Sequence, residues 1–209
     1  MPDADLLRHA AACYHTAGQP AEAARCLALA GAHRQAGDEF AELGLDRAAA
    51  DQYVLAGEPE LAGWRLVHHA GDPSAARAVL AATDGHSAVR RAVVLTRCDV
   101  AEGVRRPPLL DTFRAVCALL SGADATAEAR QAEEWAIALA EQTRRYDQAA
   151  LVFAAAVRGG RWGAVDRWAE WSRRVLRTEL TLPPLPSAPA DARPPEEIDP
   201  MDVTGPLSL

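Results

Sequence analysis

Five glycines, Gly18, Gly31, Gly44, Gly57 and Gly71, stand 13, 13, 13 and 14 residues apart. A fixed period this short constrains the fold more than any other feature, because each unit has room for one secondary-structure element and one turn. When the segments are aligned on these glycines, alanine recurs at one position: Ala10, Ala23, Ala36, Ala49, Ala62 and, after one inserted residue, Ala76. Four residues later comes a large side chain each time, Tyr14, Leu27, Phe40, Tyr53, Leu66 and Leu80. Three beyond that come Ala17, Ala30, Leu43 and Ala56, each just before its glycine. Offsets of i, i+4 and i+7 share one face of an α-helix, so the spacing predicts one helix per unit with a single apolar stripe.

Start and stop signals agree with the stripe. Each glycine sits where a helix commonly ends in a left-handed residue, a conformation glycine adopts without steric cost. Pro20, Pro59 and Pro73 follow three of the glycines and fall in a first turn, where a missing N–H costs nothing. About ten helical residues per unit span roughly 15 Å, too short to be stable without neighbours. Turns of one to three residues force successive helices to run antiparallel, with the alanine of one admitting the bulky residue of the next. The expected fold class is all-α: antiparallel αα-hairpin repeats forming a short-helix α-solenoid. Isoleucine occurs only as Ile137 and Ile198 and aromatics make up 5% of the chain, which leaves little to fill a pleated sheet.

Residues 17–31 (AGQPAEAARCLALAG) and 42–57 (ELGLDRAAADQYVLAG) resemble the α-solenoid class that includes tetratricopeptide and coat-protein-like helical repeats. The resemblance covers about residues 5–85. It departs from the tetratricopeptide pattern in period, about 26 residues per hairpin instead of 34, and in lacking that motif's Trp/Leu/Gly/Tyr first helix. The class implies a surface that binds other proteins.

Beyond Gly85 the period breaks. A longer helix over about 86–102 is expected, then a boundary at Arg105-Arg106-Pro107-Pro108, whose prolines end helical structure. Helices follow over about 109–120, 126–144, 147–158 and 163–178. The last 29 residues hold eight of the 14 prolines and carry Asp191, Glu196, Glu197, Asp199 and Asp202 against Arg193 alone. Such a composition predicts an extended acidic tail. The organisation read from sequence is therefore a repeat segment over 1–104, a second helical segment over 105–180 and a Pro-rich tail over 181–209.

A formal charge of −7 argues against a general nucleic-acid coat. Lysine and asparagine are absent and arginine supplies all 22 basic side chains, which points to a high-G+C bacterial genome. The opening residues contain Asp3 and Asp5 and no apolar signal region, and no run of about 18 apolar residues could span a bilayer. With Cys13, Cys26, Cys98 and Cys117 showing no paired spacing, the expected location is the cytoplasm, with reduced thiols and no membrane contact.

Four constellations bear on chemistry. Gly85-His86-Ser87-Ala88-Val89 comes near the nucleophile-elbow motif but ends in valine and lacks a preceding strand, so Ser87 reads as a helix N-cap. Arg8 and His15 have the spacing of the HEPN ribonuclease motif, a resemblance that would imply RNA cleavage by an Arg and a His drawn from two subunits. His9, Cys13 and Cys26, with His15 or His33, could approach one zinc, but without the usual ligand spacings the expectation is no metal and no cofactor. Residues 158–177 carry Arg158, Arg161, Arg167, Arg173, Arg174 and Arg177 against Asp166 and Glu170, with Trp162, Trp168 and Trp171 interleaved.

Arginine and tryptophan most often dominate interface energetics, so the candidate binding residues are Arg158, Arg161, Trp162, Arg167, Trp168, Trp171 and Arg174, together with Leu182, Pro184 and Leu185 of the tail. The reading is a non-catalytic protein–protein scaffold or adaptor, a subunit of a larger bacterial signalling or defence assembly, binding through a repeat face or its tail. The tail is expected to dock on a partner in preference to its own chain. The alternative is a nucleic-acid-binding protein or HEPN-like ribonuclease using Arg8 and His15 or segment 158–177. If Trp168 and Trp171 instead pack inward, the arginines merely solvate a terminal helix.

Overall fold

A computed structural model describes residues 3–83, 87–122 and 126–182. Among these the chain is all-helical. The first unit forms α1 (Ala4–Thr16), followed by α2 (Pro20–Leu29), α3 (His33–Glu42) and α4 (Asp46–Leu55), joined by three-residue connections and each packed on the one before it. Next come α5 (Pro59–Trp64), which runs directly into a π-helical turn at Arg65–His69, and α6 (Pro73–Ala82). The second segment comprises α7 (Ala88–Ala101), α8 (Leu109–Ser121), α9 (Ala127–Gln142), α10 (Tyr146–Arg158) and α11 (Ala164–Val175).

The glycine ladder closes each unit as its spacing predicts. Gly18, Gly31, Gly44 and Gly57 have φ between 69° and 76°. Each N–H reaches the carbonyl three residues back, and the next residue reaches the one five back, as in Gly44 to Ala41 at 3.1 Å and Leu45 to Phe40 at 2.9 Å. These bonds satisfy carbonyls that a helix end would otherwise strand. Arg144 occupies the same place after α9 with φ 55°, and its N–H and that of Arg145 make the same pair of bonds. The Pro20, Pro59 and Pro73 starts fall at the first helical position of α2, α5 and α6.

The extra residue of the fifth unit is taken up inside the helix and leaves the turn unaltered. At Arg65–His69 the hydrogen bonds widen, with Ala70 N–H reaching the carbonyl of Arg65 and Asp72 N–H that of Leu66. Gly71 keeps its left-handed φ of 67°. One additional residue in one helical turn is how a π-bulge arises.

Ala23, Ala36, Ala49, Ala62 and Ala76 are all buried, as the stripe requires. The bulky position varies along the chain: Tyr14 is 38% exposed, Leu27 half-buried, and Phe40, Tyr53, Leu66 and Leu80 are buried. A second small position immediately follows the first. Ala11, Ala24, Gly37, Ala50 and Gly63 are buried too, and a Cβ on Gly37 would stand 2.7 Å from the Tyr53 ring.

The core continues across the Arg105–Pro108 boundary. A single cluster of buried side chains runs from Ala24 to Trp171, and α7 packs on α5 and α6 as well as on α8 and α9. Glu60, fully buried, accepts from the Ser87 N–H at 3.2 Å, and Ser87 caps α7 by accepting from Arg90 N–H at 3.1 Å. The Ser87 hydroxyl also donates to Glu128 in the first turn of α9, and Arg90 donates to Gln131 at 2.6 Å while lying 3.6 Å from Glu60. A buried carboxylate is tolerable only with such partners. Among the described residues no helix is long and apolar enough to cross a membrane.

Candidate interaction site

The outward side of α9 is flanked by two grooves that meet at Glu134 and Ala138. On one side a cleft of about 340 Å³ lies between α9 and the repeat segment, lined by Arg34, Tyr53, Trp64, Arg65, His68 and Trp135 among others. On the other side a groove of about 460 Å³ lies between α9 and α11, with Arg130, Ile137, Glu141, Arg167, Trp171 and Arg174 on its walls. The helical spacing of Arg130, Glu134, Ile137, Ala138 and Glu141 puts them on one strip of α9, because residues three and four apart are neighbours.

The first cleft is built by the π-turn. Trp64 stacks on Trp135 with ring centroids 4.9 Å apart, and the wider turn sets His68 over Trp64 at 4.4 Å. The His68 Nδ1 is buried without a hydrogen-bond partner among the described residues. Burial, aided by His69, Arg97 and Arg65, pushes the His68 pKa down to about 4, so the ring is neutral at pH 7. Burial and the hydrogen bond donated to Asp38 at 2.8 Å push the Tyr53 phenol up to about 12. Arg34 pairs with Asp38 and Glu58, and Arg65 with Asp46. Burial and the neighbouring Glu133 raise the Glu134 carboxyl above its ordinary range.

The Arg/Trp segment is divided between core and surface. Trp168 and Trp171 are 3% and 4% exposed and stack on each other at 5.2 Å, with Phe153 against both and Tyr146 edge-on to Trp171. They close the C-terminal end of the core. Trp171 nevertheless donates its indole N–H to Glu141 at 2.6 Å and forms part of the second groove's wall. Arg167 reaches the buried Glu133 at 2.5 Å and Arg174 reaches Glu141 at 2.7 Å. Arg161 is folded inward, donating to the Leu120 carbonyl at 2.6 Å. Arg158 is exposed, and Trp162 is 72% exposed in the turn before α11. Leu182 is partly buried against the chain's own core, while Pro184 and Leu185 lie outside the described residues.

The other sequence candidates are dispersed. Arg8 pairs with Asp5 at 2.7 Å and His15 with Glu39 at 3.0 Å, each exposed on α1 and each engaged by its own carboxylate. His33 shares a hydrogen bond with Gln52, Cys13 is exposed and Cys26 half-buried. His86 lies outside the described residues.

Sequence reasoning missed Trp64, Trp135, His68 and Glu134. A signal for Trp64 and His68 existed in the 14-residue gap before Gly71: an extra residue in a helical unit marks a bulge, and bulges gather at functional sites. Comparison with protein-family models, with curated proteins and with solved structures finds no match to this chain.

Proposed function

We propose that this chain is a non-catalytic interaction scaffold, a short-helix repeat array of the tetratricopeptide-like class that binds another protein across the outward face of α9. One observation carries the reading: two grooves meet on a single helix, and their walls bring Trp, Tyr and Arg side chains from both ends of the chain to one surface. Those residue types supply most hot spots in protein interfaces. Arg34, Arg65, Arg167 and Arg174 on the walls already pair with carboxylates, which suits a rim that steers and orients a partner better than a track for a phosphate backbone. Free thiols at all four cysteines fit a reducing compartment, consistent with a cytoplasmic subunit of a larger assembly.

The test is affinity capture from native lysate with three baits: the parent, the double variant Glu134→Arg/Ile137→Asp, and Leu29→Asp, a change at an exposed leucine far from α9 in the chain. A protein retained by the parent and the Leu29 variant but lost from the α9 variant, with all three equally helical by circular dichroism, supports the reading. Equal capture by all three baits refutes the α9 face, and nuclease-sensitive capture replaces a protein partner with nucleic acid.

A further inference from the structure

Of the thirteen residues of α1, Ala11 alone is buried. In later units the stripe positions are covered: Ala23, Ala36 and Ala49 are at most 1% exposed, with Phe40 and Tyr53 buried beside them. On α1 the same positions lie open, with Ala10 half-buried, Tyr14 38% exposed and Ala17 exposed. Leu6, 65% exposed, and the exposed Cys13 extend this surface. Leu6, Ala10, Cys13 and Ala17 are spaced i, i+4, i+7 and i+11, so they form one strip along the helix, and Tyr14 borders it. None of the five is charged. His15, which reaches Glu39 on α3, is about 140° round the helix from Ala10, so the strip looks away from that contact.

We propose that the α1 strip is an interface between two copies of this chain, closed by the α1 of the second copy across a two-fold axis. The other end of the array decides the symmetry. A terminal helix of a repeat array ordinarily turns a polar face outward. α11 does so: Asp166, Glu170, Arg173 and Arg174 are all exposed, while Trp168 and Trp171 face the core. Head-to-tail stacking would set the apolar strip against those charged side chains, whose loss of water is unfavourable. Head-to-head contact sets the strip against itself, and an isologous contact of this kind closes at two copies.

The strip is complementary to itself when two helices run antiparallel. With the two-fold axis level with Ala12, each Tyr14 lies level with Ala10 of the second copy, and each Leu6 falls within one residue of Ala17. Every large side chain then meets a small one, as Gly37 admits the Tyr53 ring within the chain. No charge is buried by the contact. The two Cys13 come about 3 Å apart along the helix direction, within reach of a disulfide between closely packed helices. From Leu6 to Ala17 the strip is about 17 Å long, a contact smaller than the roughly 800 Å² per partner of a stable interface. The dimer is therefore weak and exchanges with monomer. No residue of α9 takes part, so the contact is independent of the proposed function.

Sedimentation of the full chain, from low micromolar to several hundred micromolar, is expected to show monomer passing into dimer and no larger species. Leu6→Arg and Ala10→Arg should each weaken the dimer at least tenfold, while Leu29→Asp on α2 leaves it unchanged. Leu6 is exposed in the single chain, so Leu6→Arg keeps its helicity by circular dichroism and reads the interface alone. At the high end of the range, diamide should cross-link the chain through Cys13, a reaction that Cys13→Ser and Leu6→Arg both suppress and Cys26→Ser does not. A parent that stays monomeric throughout, or a dimer that both arginine variants leave intact, overturns the two-fold contact. Cross-linking through Cys26, Cys98 or Cys117 in place of Cys13 overturns its register.

Discussion

Arg144 offers a direct test of how these helices end. It is exposed, follows α9 with φ 55°, and closes the same pair of hydrogen bonds that Gly18, Gly31, Gly44 and Gly57 close elsewhere. A residue with a Cβ in this conformation is disfavoured by about 1–2 kcal/mol. Replacing it by glycine removes that strain but restores about 0.5–1 kcal/mol of backbone freedom to the unfolded chain. Arg144→Gly is therefore expected to stabilise the protein by about 0.5–1 kcal/mol. The melting temperature should rise by about 1–4 °C for a chain of this size. Gly57→Ala is the reciprocal experiment: φ is 76° and a Cβ would meet nothing within 4 Å, so conformation alone should cost a similar amount with the opposite sign. Urea unfolding followed by circular dichroism reads both as shifts in midpoint at constant slope. If Arg144→Gly lowers the midpoint while Gly57→Ala behaves as expected, the Arg144 side chain holds the end of α9 through contacts that outweigh its backbone strain, and the reasoning fails.

Gly159→Ala should be far more damaging for a different reason: a Cβ there would stand 2.0 Å from the Leu120 carbonyl oxygen, and the backbone must separate at a cost of about 3 kcal/mol, visible in the same urea titration. Ala49→Leu overfills a position with no exposed surface and should cost about 1–3 kcal/mol; a thermal melt identical to the parent's would count against the packed alanine stripe. Stability should also fall between pH 7 and pH 5. His68 has a folded pKa near 4 against an ordinary 6.5, so the unfolded chain binds the proton first and the stabilisation present above 6.5 is lost as pH drops toward 4. With His68 half-buried, the loss by pH 5 should be about 1 kcal/mol. It should shrink in His68→Gln, and an unchanged pH dependence in that variant would place the effect elsewhere.

The parts of the fold that local geometry dictates were readable from the sequence. The glycine ladder marked helix ends because the left-handed terminus is a property of one residue and its immediate carbonyls. The alanine stripe marked buried crossings because a 3.6-residue period repeats within each unit. The second small position, Ala24, Gly37, Ala50 and Gly63, was equally periodic and could have been read beside the first. Nothing local joins Trp64 to Trp135 or Glu60 to Ser87. Those pairs unite segments far apart in the chain, and one sequence without a repeat spanning both halves contains no sign of their meeting. The Arg/Trp segment shows the opposite difficulty. Its composition indicated an interface, but a helix three-residue offset was equally able to turn Trp168 and Trp171 inward, and the core at the chain's end took them.

The single π-turn has a consequence for recognition. If the proposed scaffold is read through features that recur every 13 residues, a ligand recognising those features alone would settle one unit along and lose little affinity. Degenerate placement of this kind blurs specificity even where binding is tight. The widened turn at Arg65–His69 occurs once in the ladder, and it sets an imidazole over an indole that no other unit has. In the proposed scaffold this turn would be an address, a landmark from which position along the helices is counted.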